Sequence, residues 1–318
     1  MADRPEISVL GSAAEVQSSC WLQRAAALVE ACAVFVLAHV SFRVFKQFTW
    51  LGKREGEFGL NYSTGIVLVL FGVGSILLGR RRFASYGLTA RTWRRDVSVG
   101  LLGGLLLAGG AALLVQLTPL SPAVFQRPDR AVPLLGAAGA LAGAVGHLLV
   151  LLVLLWILKC ARPLGSCWLA APSTCLLVGL LGLPVVLAAA RDRQPLLALT
   201  AVGWLFACAG FGEEIFFHGY VQSRVNEAFG RPWRVFGVEC GLGLVVSSLL
   251  FGAIHVLNTV DYFTGQFEFA WWLGVTNVFA GFSLGLLREK TGNVVAGGVA
   301  HGLMDVLVQI PRILASKR

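Results

Sequence analysis

The sequence predicts an all-α, polytopic transmembrane helical bundle of about eight to nine spans, and three observations predict it. Hydrophobic residues make up 56% of the 318 residues while charged residues make up only 14%. The mean hydropathy is +0.74, too apolar for one or two soluble domains. Continuous apolar runs such as Leu148 to Leu158 do not alternate, as the strands of an outer-membrane barrel would. Disorder, collagen and a disulfide scaffold are excluded as well. Gly has no period, and the seven cysteines at 20, 32, 160, 167, 175, 208 and 240 form no C-x-x-C. Five of them fall inside apolar segments, where packing is their expected role.

A helix needs about 20 apolar residues to cross hydrocarbon. Stretches of that length place spans at 24–42, 59–79, 97–117, 132–158, 165–190, 196–220, 239–260, 269–287 and 293–310. The first is interrupted by Glu30 and His39, and a position at the membrane interface is the alternative for it. The first 20 residues carry Asp3, Arg4, Glu6 and Glu15 and lack the apolar core and cleavage site of a secretory signal, so no removal is expected. The expected organisation is a polar tail (1–23), N-terminal transmembrane helices (24–195), a C-terminal set of helices (196–310) and a basic tail (311–318).

The net charge of +9 does not indicate nucleic acid, because Lys and Arg gather at span ends rather than in one stripe with aromatics. With nine spans, 15 of the 26 Lys and Arg fall on the N-terminal side, led by Arg80, Arg81, Arg82, Arg91, Arg94 and Arg95. That excess predicts a cytoplasmic N-terminus. Arg outnumbers Lys amid abundant Ala, Gly and Leu, which suggests a high-GC bacterium and hence an inner (cytoplasmic) membrane. Gly136, Gly139, Gly143 and Gly146 are expected to let helices approach closely, and His147 to be a helix-contact residue. Trp271, Trp272, Tyr262 and Phe263 form an expected interfacial belt.

The last third carries the chemistry. Glu213 and Glu214 stand side by side in an apolar span, where an acidic residue at mid-membrane costs about 2.5–3.5 kcal/mol and needs a partner, a proton or a water-filled cavity. Adjacent helical residues point about 100° apart, so the two carboxylates have different surroundings. Four-residue spacing puts Glu214 and His218 on one face, and predicts that the histidine braces that carboxylate. The same spacing recurs in Phe251–His255 and in His301–Asp305. At 1.5 Å per residue, Glu213 and His255 come out about 10 Å apart in depth, a gap that tilt or side chains can close. A structural ion-pair network or an ion relay would also use such residues.

In order and spacing these elements resemble the CPBP (Abi) family of intramembrane endopeptidases, which includes type II CAAX prenyl endopeptidases and bacteriocin-processing or immunity proteins. The resemblance covers residues 196–310. It implies a membrane-facing cavity and peptide hydrolysis by activated water in a membrane-associated protein or peptide, prenylated or CAAX-like substrates among them. Carried over by motif position, it implies Glu213 as general base with His255 holding the water, and His301 with Asp305 at the oxyanion. It places Glu214, His218 and Phe251 behind them. The family has Arg where His218 stands, and Asp305 is its alternative to Asn; an ionised Asp305 would repel an oxyanion, so it must be protonated or orient His301. No cofactor is expected. The mechanistic alternative is a zinc metalloprotease with Glu213, His255 and His301 as ligands, Glu214 and His218 being further donors. The functional alternative is a non-catalytic immunity-type binder or a proton-coupled transporter. The expected partners are membrane lipid and the substrate, with no nucleic acid.

Overall fold

The computed structural model describes residues 9–58, 60–117, 133–160 and 170–315. The first eight residues of the polar tail, the opening residues of the spans expected at 59–79, 132–158 and 165–190, Cys167 and the last three residues lie outside them. The described chain is almost wholly helical. The helices are α1 (Val9–Phe48), α2 (Trp50–Phe58), α3 (Tyr62–Leu78), α4 (Trp93–Leu117), α5 (Pro133–Cys160), α6 (Ala170–Ala190), α7 (Pro195–Phe229), α8 (Leu242–Val256), α9 (Trp271–Thr291), α10 (Val295–Val308) and α11 (Ile310–Ala315). Six helical stretches, in α1, α4, α5, α6, α7 and α8, are long and apolar enough to cross a membrane, and α3 and α10 are apolar but shorter. The protein is an integral membrane protein of the all-α polytopic class. Outward-facing side chains such as Leu141, Leu149 and Trp156 are exposed in the bundle and suit acyl chains.

Helix α1 starts at Val9, inside the segment read as a polar tail, because Ala13, Ala14, Glu15 and Gln17 are sound helix formers. Its two polar interruptions both find partners from distant helices. The Glu30 carboxylate accepts from Arg81 (2.8 Å), Arg224 (2.8 Å) and the Tyr220 hydroxyl (3.0 Å), tying α1 to α7 and to the residues that follow α3. Beside it Tyr86, outside the spans, donates to Glu227 at 2.6 Å; burial and that carboxylate push the phenol well above its ordinary pKa. His39 meets the Tyr262 hydroxyl at 3.1 Å at the other end of the bundle.

The junction between α9 and α10 is set by two residues. Gly292 takes the left-handed conformation (φ 80°) that stops α9. Asn293 accepts from the Val295 N–H, capping α10, and donates to the fully buried Asp96 of α4 at 2.6 Å. Glycines then admit α10 to the centre of the bundle. A Cβ at Gly302 would stand 2.9 Å from the Phe206 Cα of α7, and one at Gly210 would stand 2.6 Å from the Gly302 Cα. Gly143 of α5 meets Thr276 of α9, and Gly146 meets Leu114 of α4. The two strands among the described residues form a hairpin, β1 (Trp233–Val235) and β2 (Val238–Cys240). Its turn residues Phe236 (φ 49°) and Gly237 (φ 80°) both take positive φ, as a type I′ turn requires.

Candidate functional site

Helix α7 changes its winding where its carboxylates lie. Residues Trp204–Gly212 and Glu214–Val221 are π-helical, with i→i+5 bonding in place of i→i+4. Such turns are rare and collect at functional positions. The widened helix carries Glu213 and Glu214 between α8 and α10.

Phe251 of α8 is the hub of the cluster. Its ring, 1% exposed, lies 4.9 Å from the His255 ring, 5.7 Å from His301 and 6.1 Å from His218, centroid to centroid. His255 sits in the last turn of α8, and its Nδ1 donates to the Phe251 carbonyl at 2.7 Å. A carbonyl only accepts, so this bond fixes the proton on Nδ1 and leaves Nε2 as the free nitrogen. His301 stands between two carboxylates: Nδ1 is 3.2 Å from Glu214 Oε1 and Nε2 is 3.6 Å from Asp305 Oδ2. The second distance is an ion-pair contact and too long for a hydrogen bond, so the Nε2 direction remains uncommitted. Glu214 is fully buried. One oxygen each of Glu213 and Glu214, Oε2 in both, is buried with no hydrogen-bond partner. Residues from three helices therefore meet at one place.

The expected pairing of Glu214 with His218 is corrected. Glu214 takes His301 instead, and His218 Nδ1 bonds Gln222 Oε1 at 2.8 Å. The amide of Gln222 is oriented by its own donations to the Gly285 carbonyl (3.1 Å) and Glu289 (2.8 Å), so its oxygen faces His218 and the imidazole is the donor. His218 Nε2 has no partner. His218 has a neighbour four residues away on either side, Glu214 and Gln222; His301 takes the first and the imidazole bonds the second. His147 is a helix-contact residue as expected, its Nδ1 on the Gly143 carbonyl at 2.8 Å.

Sequence reasoning passed over Gln222, Glu289 and Gly297. Gln222 was detectable, standing four residues from His218 in the same segment. Gly297 gives no signal of its own, yet a Cβ there would lie 2.4 Å from Glu214 Oε2. Gly297→Ala is accordingly expected to displace that carboxylate and, through it, His301. Misplacement by about 1 Å costs on the order of 10²-fold in rate, so turnover should fall by about that factor with helix content unchanged. Turnover at the wild-type level would show that Glu214 does not set the position of His301.

Among the described residues no three His, Cys, Asp or Glu side chains are grouped as a metal site requires. Glu213, His255 and His301 are accordingly not such a group. Bonds to the Phe251 carbonyl and to Glu214 hold Nδ1 of His255 and of His301 and leave each Nε2 without a hydrogen bond.

Fold and site together define an integral membrane protein with a carboxylate–histidine cluster inside its bundle. Residues 194–307, the segment that holds every member of the cluster, match the family model of the type II CAAX prenyl endopeptidases, Rce1-like. The matched family is one of proteases. Neither the curated proteins nor the solved structures compared with the chain gave a match.

Proposed function

We propose that the protein is an intramembrane endopeptidase that hydrolyses a peptide bond in a membrane-associated protein or peptide, with water activated by Glu213. The observation that carries this reading is the convergence of His218, His255 and His301 from three helices around one buried ring, with Glu213 in the same widened stretch of α7 as His218, within the segment that matches a protease family.

In this reading the unpartnered oxygen of Glu213 takes a proton from water, and the free Nε2 of His255 accepts the second O–H and aims the oxygen. The water oxygen bonds to the scissile carbonyl carbon. Charge passes to the carbonyl oxygen, where the uncommitted Nε2–H of His301 stabilises it. Glu213 then returns its proton to the leaving nitrogen as the C–N bond breaks, giving a carboxylic acid and an amine. Asp305 Oδ2 stands 3.6 Å from the same Nε2, so in this reading Asp305 is protonated and does not repel the oxyanion. His218 holds Gln222 rather than Glu214, so the exchange of the family's arginine for histidine leaves the Glu214–His301 pair intact. The basic end of the bundle, with Arg80, Arg81 and Arg82, is placed on the cytoplasmic side, in a bacterial inner membrane.

The test uses the purified protein in liposomes with a farnesylated peptide ending in a CAAX sequence, its unprenylated counterpart, and mass spectrometry of the products. Cleavage of the lipid-anchored peptide is expected, undiminished by a strong chelator. Loss on chelation that zinc alone restores would replace this mechanism with the zinc one, and cleavage of neither peptide would count against the substrate class.

A further inference from the structure

The basic end of the bundle holds a cleft of about 470 Å³ between the β1–β2 hairpin and the turn that joins α9 to α10. It is separate from the Phe251 cluster: along α9, Gly281 packs on Phe251, whereas Arg288, Glu289 and Lys290 line the cleft two turns later. Arg231, Arg234 and Glu239 line it from the hairpin side.

The charges in this cleft do not balance. Glu289 is saturated: Oε1 accepts from Gln222 and Asn226, both at 2.8 Å, and Oε2 accepts from Arg231 (2.8 Å) and Arg288 (3.1 Å). Arg234 and Lys290 are exposed, and their side chains form no ion pair or hydrogen bond among the described residues. Glu239 faces Arg234 across the hairpin without pairing with it. Arg288 lies deepest, 3% exposed, held by Ser223 Oγ (2.7 Å) and the Ser85 carbonyl (3.3 Å), while its buried Nε has no acceptor among the described residues. A buried donor left open beside two uncommitted cations is a site short of an anion with several oxygens. The hairpin also presents Trp233 (45% exposed) and Phe236 (53% exposed) beside the cleft. Exposed aromatic rings at a helix end sit at lipid headgroup level, where basic pockets meet anionic lipid.

We propose that this cleft is a phosphate site that binds the headgroup phosphate of an anionic phospholipid, with Arg234, Lys290 and Arg288 as its donors. Arg288 supplies the directed hydrogen bond at the base, Arg234 and Lys290 supply charge at the mouth, and Trp233 and Phe236 set the hairpin against the lipid. The site is independent of peptide hydrolysis.

The full-length protein in detergent, titrated with phosphatidylglycerol, phosphatidylcholine or inorganic phosphate and followed by native mass spectrometry, tests this. Phosphatidylglycerol is expected to bind saturably and more tightly than phosphatidylcholine. The variant Arg234→Gln/Lys290→Gln is expected to weaken it by roughly 30-fold, the factor for two interfacial basic side chains. Arg191→Gln/Arg193→Gln, the same charge change at the opposite end, is expected to leave it unchanged. Binding of inorganic phosphate at the same strength, lost in the first variant, would keep the phosphate site but make its source a soluble anion. Equal binding of both lipids, wild-type binding by the first variant, or equal weakening by the control would overturn the proposal. Both cleft residues are exposed, so folding should survive; unchanged elution and melting confirm it, and Lys290→Gln alone provides a milder variant.

Discussion

Glu213→Gln is expected to reduce peptide hydrolysis by at least about 10³-fold while the protein remains folded, the larger part of what a general base contributes. The amide keeps the shape of the carboxyl and removes its ability to take a proton. Glu213 Oε2 has no hydrogen-bond partner, so the substitution breaks no bond that holds the fold. An unpartnered buried carboxyl is itself a cost to the folded state, and the variant should melt no lower than wild type. Function and stability are thereby separated in one experiment. Wild-type turnover by the folded variant would remove Glu213 from the mechanism, and a large fall in melting temperature would give it a structural role instead.

His301→Ala is expected to damage both. It takes away the hydrogen-bond partner that the fully buried Glu214 side chain has among the described residues and the contact of Asp305. Removing one member of a buried pair costs about 3–5 kcal/mol, so melting in detergent should drop well below wild type, and turnover should fall by at least about 10²-fold with the oxyanion contact gone. His301→Gln separates the two effects. An amide can still donate to Glu214 and should recover much of the stability, but it cannot reach Glu214 and an oxyanion at once, so activity should stay low. Recovery of full activity in the glutamine variant would show that His301 serves Glu214 alone.

The parts of the site that were legible in sequence are those whose cost in a membrane makes them conspicuous. Glu213, Glu214, His255, His301 and Asp305 are ionisable groups in apolar segments, and hydrocarbon leaves such groups few roles. Their meeting place was less visible. Depth counting put Glu213 and His255 about 10 Å apart, whereas His255 and His301 both reach the ring of Phe251 and α7 is wound more widely beside it. The partner of His218 was misread because four-residue spacing offers Gln222 as well as Glu214, and packing gives Glu214 to His301. Pairings across long stretches of chain leave no local trace: Glu30 with Arg224, His39 with Tyr262, and Gln222 with Glu289 are fixed by packing alone. The hairpin was missed because Phe236-Gly237 lacks the Asn-Gly or Asp-Gly of a typical type I′ turn. The polytopic helical class was legible because length and hydropathy decide it before any tertiary contact does, although six of the nine expected spans are long and apolar enough to cross a membrane and several ends move by six to nine residues.

A single turnover in ¹⁸O-labelled water tests most directly whether Glu213 activates water for direct attack on a peptide bond. The wild-type protein in liposomes is mixed in excess with a lipid-anchored peptide, and the products and the digested protein are weighed by mass spectrometry. One labelled oxygen in the new peptide carboxylate, none in the side chain of Glu213, and no product from Glu213→Gln is the expected result. Label in the Glu213 carboxyl would mean that this residue forms a covalent acyl intermediate, and unlabelled product, or cleavage that persists in Glu213→Gln, would contradict water activation by Glu213.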